Sequence, residues 1–277
     1  MTEPASRRQF SALVALPDPD IDLAHAALLI ACEEYPELEV DLYRARLDEM
    51  GQALSERLEA AAPVERVQAL NRYLFDEERF RGNTEDYYDP RNSFLNQVLD
   101  RRTGIPISLS TLYIELARRA GLAADGVGLP GHFIVRVASP EGDLLVDPYY
   151  GGTLLSHEDC QKRLDRVYGG KVRMELAMLA SCSRRQILAR MLRNLKAIYV
   201  KAEDHLRALG VVDLLLRVQP ESLEDLRDRG LLHADLDCYA GAVRDLEAYV
   251  ERAPGAPEAQ ALLGRIADLR RLAARLN

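Results

Sequence analysis

Apolar residues recur at helical spacing along most of the chain, and the clearest break in that rhythm falls between residues 121 and 152. From Ile107 to Ala120, Leu109, Leu112, Tyr113, Leu116 and Ala117 recur at intervals of three and four, and Gly121 supplies the stop. This predicts an amphipathic helix. The rhythm then shifts to β-rich runs, Phe133 to Val137 and Leu144 to Val146, joined by Ser139-Pro140-Glu141-Gly142-Asp143. A hairpin is the natural reading. With its turn centred near Ser139 and Pro140, the hairpin sets His132 opposite Asp147, and directly opposed residues have Cβ atoms roughly 5 Å apart. The pattern predicts a His–Asp pair.

Upstream, helical periodicity predicts Asp22 to Glu34, Leu38 to Leu58 and Val64 to Phe75, after a mobile lead over residues 1–20. Phe80 to Asn92 reads as a polar, aromatic loop punctuated by Gly82, Asn83 and Pro90. Tyr87 and Tyr88 are candidates to wall a groove, with Asn83 and Asn92 as hydrogen-bond donors to a substrate carbonyl; packing on the core is the plainer alternative. Ser93 stands as a cap for a helix over 94–101. Pro130 and Gly131, with Gly126 and Gly128, permit close backbone approach just before His132. Downstream, Glu158 to Val167 reads as a helix, and Val172 to Leu179 as a helix or a strand.

From about Arg184 helix follows helix. Pro220 and Pro254 lie 34 residues apart, each closing a helical run, which is the tetratricopeptide period. Leu192, Tyr199, Ala208 and Val212 match Leu226, His233, Ala242 and Leu246 at the same offset, while Lys196 stands where the second repeat has Gly230. Glu258 to Leu276 supplies a capping helix. Two repeats are too few to stand alone, so the array is expected to pack on the first domain through the helix around 186–199.

A His–Asp pair beside a helix start is two thirds of a nucleophilic triad, in which the acid orients the ring and the ring deprotonates a nucleophile. The third member belongs at the helix N-terminus, which here reads Pro106-Ile107-Ser108-Leu109-Ser110. It contains no cysteine. Ser108 or Ser110 also fits a plain capping role, which needs no chemistry.

The order of nucleophile helix, His strand and Asp strand resembles the transglutaminase-like, papain-related fold. The stretches RRTGIPISLSTLYIELARRAGL, GVGLPGHFIVRV and VDPYYGG, with LNRYLFDEERFRGNTEDYYDPRNSFLNQVLDRR before them, resemble the bacterial SirB family. Its members join a transglutaminase-like core to tetratricopeptide repeats. The resemblance implies an α+β fold: a transglutaminase-like domain over 1–182 and an all-α helical array over 183–277. It makes His132 and Asp147 the His and Asp of the triad, with Ser108 as the best match for the cysteine and Ser110 second. An alcohol is far harder to ionise than a thiol. The favoured function is therefore a protein-interaction or regulatory module without the catalytic cysteine; the alternative is a peptide or amide hydrolase or acyltransferase using Ser108, His132 and Asp147.

Composition narrows the partners. A net charge of −8 argues against general nucleic-acid binding, which leaves a protein or peptide partner, met by the repeats or the central cleft. Cys32, Cys160, Cys182 and Cys238 show no metal or disulfide spacing, so no metal and no cofactor is expected, and the thiols read as reduced, mostly buried and cytoplasmic. Cys32 reads as a core or groove-lining residue. The acidic run Glu33, Glu34, Glu37 and Glu39 reads as solvated carboxylates. Ser6-Arg7-Arg8-Gln9-Phe10 mimics a twin-arginine signal, but the apolar run after it is too short for an export segment. No stretch approaches the length of a membrane span.

Overall fold

The computed structural model describes residues 3–58 and 63–276, which divide into two compact units, Met1–Met191 and Leu192–Asn277. The first unit opens with helices α1 (Ala5–Val14), α2 (Leu23–Ala31), α3 (Val40–Leu58) and α4 (Pro63–Asn71). The lead is therefore a folded helix, with Phe10 and Val14 buried. Arg7 holds it by a two-point hydrogen bond to Glu33, at 2.9 and 2.6 Å, so this carboxylate of the acidic run is paired rather than merely solvated. Asp22 caps α2 by accepting from the His25 N–H. Beyond Asn71, α4 continues as a π-helical turn over 72–77.

Next come β1 (Arg81–Gly82), α5 (Leu95–Arg101), β2 (Thr103–Gly104) and α6 (Pro106–Arg119). β1 and β2 pair in parallel. Ser93 does not cap α5: Phe94 takes the cap position, and the buried Ser93 hydroxyl has no hydrogen-bond partner. α6 is buried almost throughout, from Pro106 to Ala117, with α2, α3 and α5 packed around it. It is the core helix of the unit.

Four strands form an antiparallel sheet in sequence order: β3 (Ala124–Val127), β4 (Ile134–Val137), β5 (Leu144–Asp147) and β6 (Thr153–Leu155). The sequence pattern predicts only β4 and β5, because β3 reads Ala-Asp-Gly-Val, with two residues disfavoured in strands, and β6 spans just three residues. Strand alternation sends Ile134 and Leu145 to the face covered by Cys160 and Met178, and Val135, Val137 and Val146 to the opposite face. α6 packs against β3 and β4. α7 (His157–Tyr168) follows, capped reciprocally by Ser156 and Asp159. The segment read as a helix or strand over 172–179 holds one 3-10 turn, Leu176–Leu179.

α8 (Arg184–Lys201) crosses from the first unit into the second. The second unit continues with α9 (His205–Val218), α10 (Leu223–Asp235), α11 (Tyr239–Arg252) and α12 (Ala259–Leu276), α9 to α12 each packed on the next. At the position where the two repeats differ, each residue has a physical reason. A Cβ on Gly230 would meet the Leu246 side chain at 2.7 Å, so α10 and α11 approach closely there. Lys196 instead reaches Asp225 at 2.9 Å and Asp228 at 2.5 Å, neutralising two acids of α10.

Candidate functional site

His132 and Asp147 meet, though by a different register from the one expected. β4 and β5 pair Val135 with Val146 and Val137 with Leu144, so the position directly across from Asp147 is Ile134. The turn is centred one residue later than Ser139 and Pro140 suggest. His132 reaches back along the hairpin, and its Nε2 lies 2.8 Å from Asp147 Oδ2. The backbone before it is bent to allow this: Gly131 has φ of +73°, a left-handed conformation suited to glycine. Arg190 braces the bend by donating from Nη2 to the carbonyls of Leu129 and His132.

Asp147 is fully buried and anchors four partners. Its Oδ1 accepts from the N–H groups of Tyr149 and Tyr150, fixing the turn Pro148–Tyr150. Its Oδ2 faces His132 and also Arg163 of α7, whose Nη2 is 2.8 Å away. The Arg163 guanidinium lies over the Tyr150 ring, 4.6 Å from its centre. Periodicity alone passes over Arg163, yet a signal was present. Cys160, Arg163, Leu164 and Val167 share one face of α7, which places a charge in an apolar stripe.

This residue alters the chemistry of the pair. In a working triad the carboxylate is left to stabilise the imidazolium that forms during proton transfer. Here the Arg163 guanidinium shares the same carboxylate oxygen with His132. The His132 ring is flanked by Tyr149 and Tyr150, with ring centres 6.1 and 6.0 Å away.

A cleft of about 290 Å³ opens over the pair. His132, Tyr87, Tyr149, Tyr150 and Pro106 line it, and α7 contributes Arg163, Arg166 and Val167. Gly131 lies at its edge, where a Cβ would stand 2.9 Å from Val167. The half-buried Pro130 lies in the same bend but does not line the cleft. Burial pushes the phenols of Tyr87 and Tyr149 above the usual tyrosine range, so both stay neutral near pH 7. Tyr88 packs edge-on against Tyr87 and is not part of the lining.

Ser108 and Ser110 stay outside the cleft. Both are fully buried. Ser108 Oγ accepts from the Ile105 N–H at 3.1 Å and donates to the Asn92 carbonyl at 2.5 Å, stitching the start of α6 to the preceding loop. Ser110 Oγ lies 3.4 Å from the Phe133 carbonyl. The residue of α6 that borders the cleft is Pro106, which has neither a nucleophile nor a backbone N–H. Ser108→Ala is expected to cost about 1–3 kcal/mol, because two buried backbone groups lose a partner; urea unfolding of the variant measures it.

Asn83 and Asn92 organise the loop rather than face the cleft. Asn83 Oδ1 accepts from the N–H groups of Glu85 and Asp86, while its Nδ2 donates to Asn92 Oδ1. Asn92 is fully buried and donates to the carbonyls of Asp86 and Tyr87. Tyr149 joins them, donating from its hydroxyl to the Asn83 carbonyl at 2.7 Å. The two asparagines thus set where Tyr87 stands.

No cysteine lines the cleft, and all four thiols are free. Cys32 and Cys160 are buried, whereas Cys182 is half-buried and Cys238 exposed, so burial is less general than expected. Burial pushes the Cys160 thiol up, against the opposing pull of Arg163. Among the described residues no group of His, Cys, Asp or Glu is placed to hold a metal ion, and no helix is long and apolar enough to cross a membrane.

Comparison with known proteins agrees with this architecture. Residues 41–193 match the family model of the Transglutaminase-like superfamily, and residues 195–276 match that of the tetratricopeptide repeat. A UPF0162 protein of Xylella fastidiosa is 39% identical over 262 residues, spanning 93% of each chain. Another UPF0162 protein, from Pseudomonas aeruginosa, is 35% identical over 226 residues, covering 81% of this chain and 82% of that one. Human F-box only protein 21 is 30% identical over 186 residues, 63% of this chain but 28% of its own length. No solved structure matches. With relatives alike along nearly their whole length and both modules matched in order, the chain belongs to the UPF0162 family of transglutaminase-like proteins with tetratricopeptide repeats.

Proposed function

We propose that the chain is a SirB-type protein-interaction or regulatory module of the bacterial cytoplasm, in which a transglutaminase-like cleft serves recognition rather than covalent catalysis. The observation that carries this reading is Pro106, the residue of α6 that lines the cleft beside His132. A nucleophile there would need a thiol or hydroxyl, and the nearby Ser108 hydroxyl is already bonded on both sides within the core. An oxyanion hole would draw on N–H groups at the same helix start. Pro106 has none, and the Ile105 N–H is bonded to Ser108. The tetratricopeptide unit supports the reading, since such repeats commonly present surfaces to protein partners.

The second reading, a Ser108–His132–Asp147 hydrolase or acyltransferase, is favoured by the 2.8 Å His132–Asp147 contact. A fluorophosphonate probe separates the two when applied to the wild type, His132→Ala and Ser108→Ala. The expected result is no specific labelling in any of them. Covalent labelling located at Ser108 and lost in both variants would establish the hydrolase and overturn the proposal.

A further inference from the structure

The chain is acidic overall, with a net charge of −8, yet the charged side chains lining the cleft are two arginines, Arg163 and Arg166, beside the imidazole of His132. No carboxylate lines the cleft among the described residues, and Asp147, behind His132, is fully buried with both of its oxygens engaged. A group entering the cleft therefore meets arginine and tyrosine rather than acid. Arg166 is exposed and forms no ion pair among the described residues, in a chain where most arginines do. Arg163 also lines the cleft, with its Nη2 held by Asp147 at 2.8 Å. The hydroxyls of Tyr87 and Tyr150 make no hydrogen bond within the described residues, unlike that of Tyr149.

We infer that the cleft binds a carboxylate carried by a peptide, either an acidic side chain or a C-terminal carboxylate. The inference rests on the cleft being a recognition surface. Three features select this ligand. At about 290 Å³ the space lies at the lower end of small-molecule sites, which suits one or two peptide side chains better than a cofactor. Tyrosine and arginine, with tryptophan, are enriched where a few side chains dominate protein binding. A planar carboxylate also matches the fork of a guanidinium. A phosphate site, by contrast, favours a run of free N–H groups at a helix start. At this edge of the cleft α6 begins with a proline.

The test is a titration of the full, nitrogen-15-labelled chain followed by NMR, with four probes: N-acetyl-tetraglutamate amide, N-acetyl-tetra-alanine with a free C-terminus, N-acetyl-tetraglutamine amide, and inorganic phosphate. One or both carboxylate peptides should shift the signals of Arg166 and Tyr150 saturably, and the neutral glutamine peptide should not. The responding peptide tells whether the carboxylate comes from a side chain or a chain end. Arg166→Ala, a change at an exposed position, should weaken the response by about tenfold or more while leaving the rest of the spectrum in place. Silence from both carboxylate peptides, an equal response to the glutamine peptide, binding of phosphate alone, or indifference to Arg166→Ala would each overturn the inference. Specific fluorophosphonate labelling at Ser108 would instead overturn the recognition reading, so the two failures are told apart by different experiments.

Discussion

Asp147→Ala is expected to destabilise the chain by about 3–5 kcal/mol, the usual cost of breaking a buried ion pair from one side. Four groups lose their acceptor together. Arg163 keeps its charge within a largely enclosed site, His132 loses its anchor, and the N–H groups of Tyr149 and Tyr150 are left without a partner. Asp147→Asn should cost less, about 1–3 kcal/mol, because an amide oxygen still accepts from the two N–H groups while the charge is lost. Urea unfolding followed by circular dichroism measures both. Hydrogen exchange at β5 and α7 shows whether the loss is centred on the cluster. A loss below about 1 kcal/mol for Asp147→Ala would mean that the buried carboxylate is not what joins the hairpin to α7.

Gly152→Ala is expected to cost about 2–5 kcal/mol, from two separate effects. Gly152 has φ of +75°, and a left-handed residue with a side chain costs about 1–2 kcal/mol. The added methyl would also stand 2.5 Å from the Asn71 amide and 2.7 Å from the Phe75 ring, and overpacking of this kind costs about 1–3 kcal/mol. The neighbours have little freedom to yield. Asn71 donates to the Gly152 carbonyl at 2.7 Å and accepts from the Tyr113 hydroxyl at 3.0 Å, and Phe75 stacks on Tyr113. Because the Gly152 N–H donates to the Asp147 carbonyl, the change should also disturb the cleft. Gly151→Ala is the control: it carries a similar backbone strain with open space around its Cβ, so it should lose only the strain component. Equal losses for the two variants would show that packing against Asn71 and Phe75 contributes nothing.

How much of the site was legible follows from the range over which each feature is determined. The hairpin was readable because β4 and β5 are joined by a short turn, which keeps His132 and Asp147 near one another whatever happens elsewhere. Its register differs from the expected one because the turn is centred a residue later, and nothing in Ser139-Pro140-Glu141 marks that centre uniquely. Asn83 and Asn92 stand out in the sequence as polar residues of a long loop, but the sequence does not say which groups they bond. Whether an asparagine donates to a ligand or to its own loop depends on where the loop is folded. The N-terminal helix leaves little trace in the sequence because its only deeply buried residues are Phe10 and Val14, too few to make a stripe.

The sequence by itself determined the helical periodicity, the His132–Asp147 hairpin and the 34-residue repeat. Each rests on spacing within one or two adjacent elements, where covalent geometry alone dictates which side chains share a face. Only the tertiary structure decided what surrounds the pair. α7 brings Arg163 onto the Asp147 oxygen, the start of α6 turns Pro106 toward the cleft, and the loop before α5 draws the Ser108 hydroxyl into the core. These contacts join elements distant in sequence, so they follow from how helices and sheet pack together and not from any local pattern.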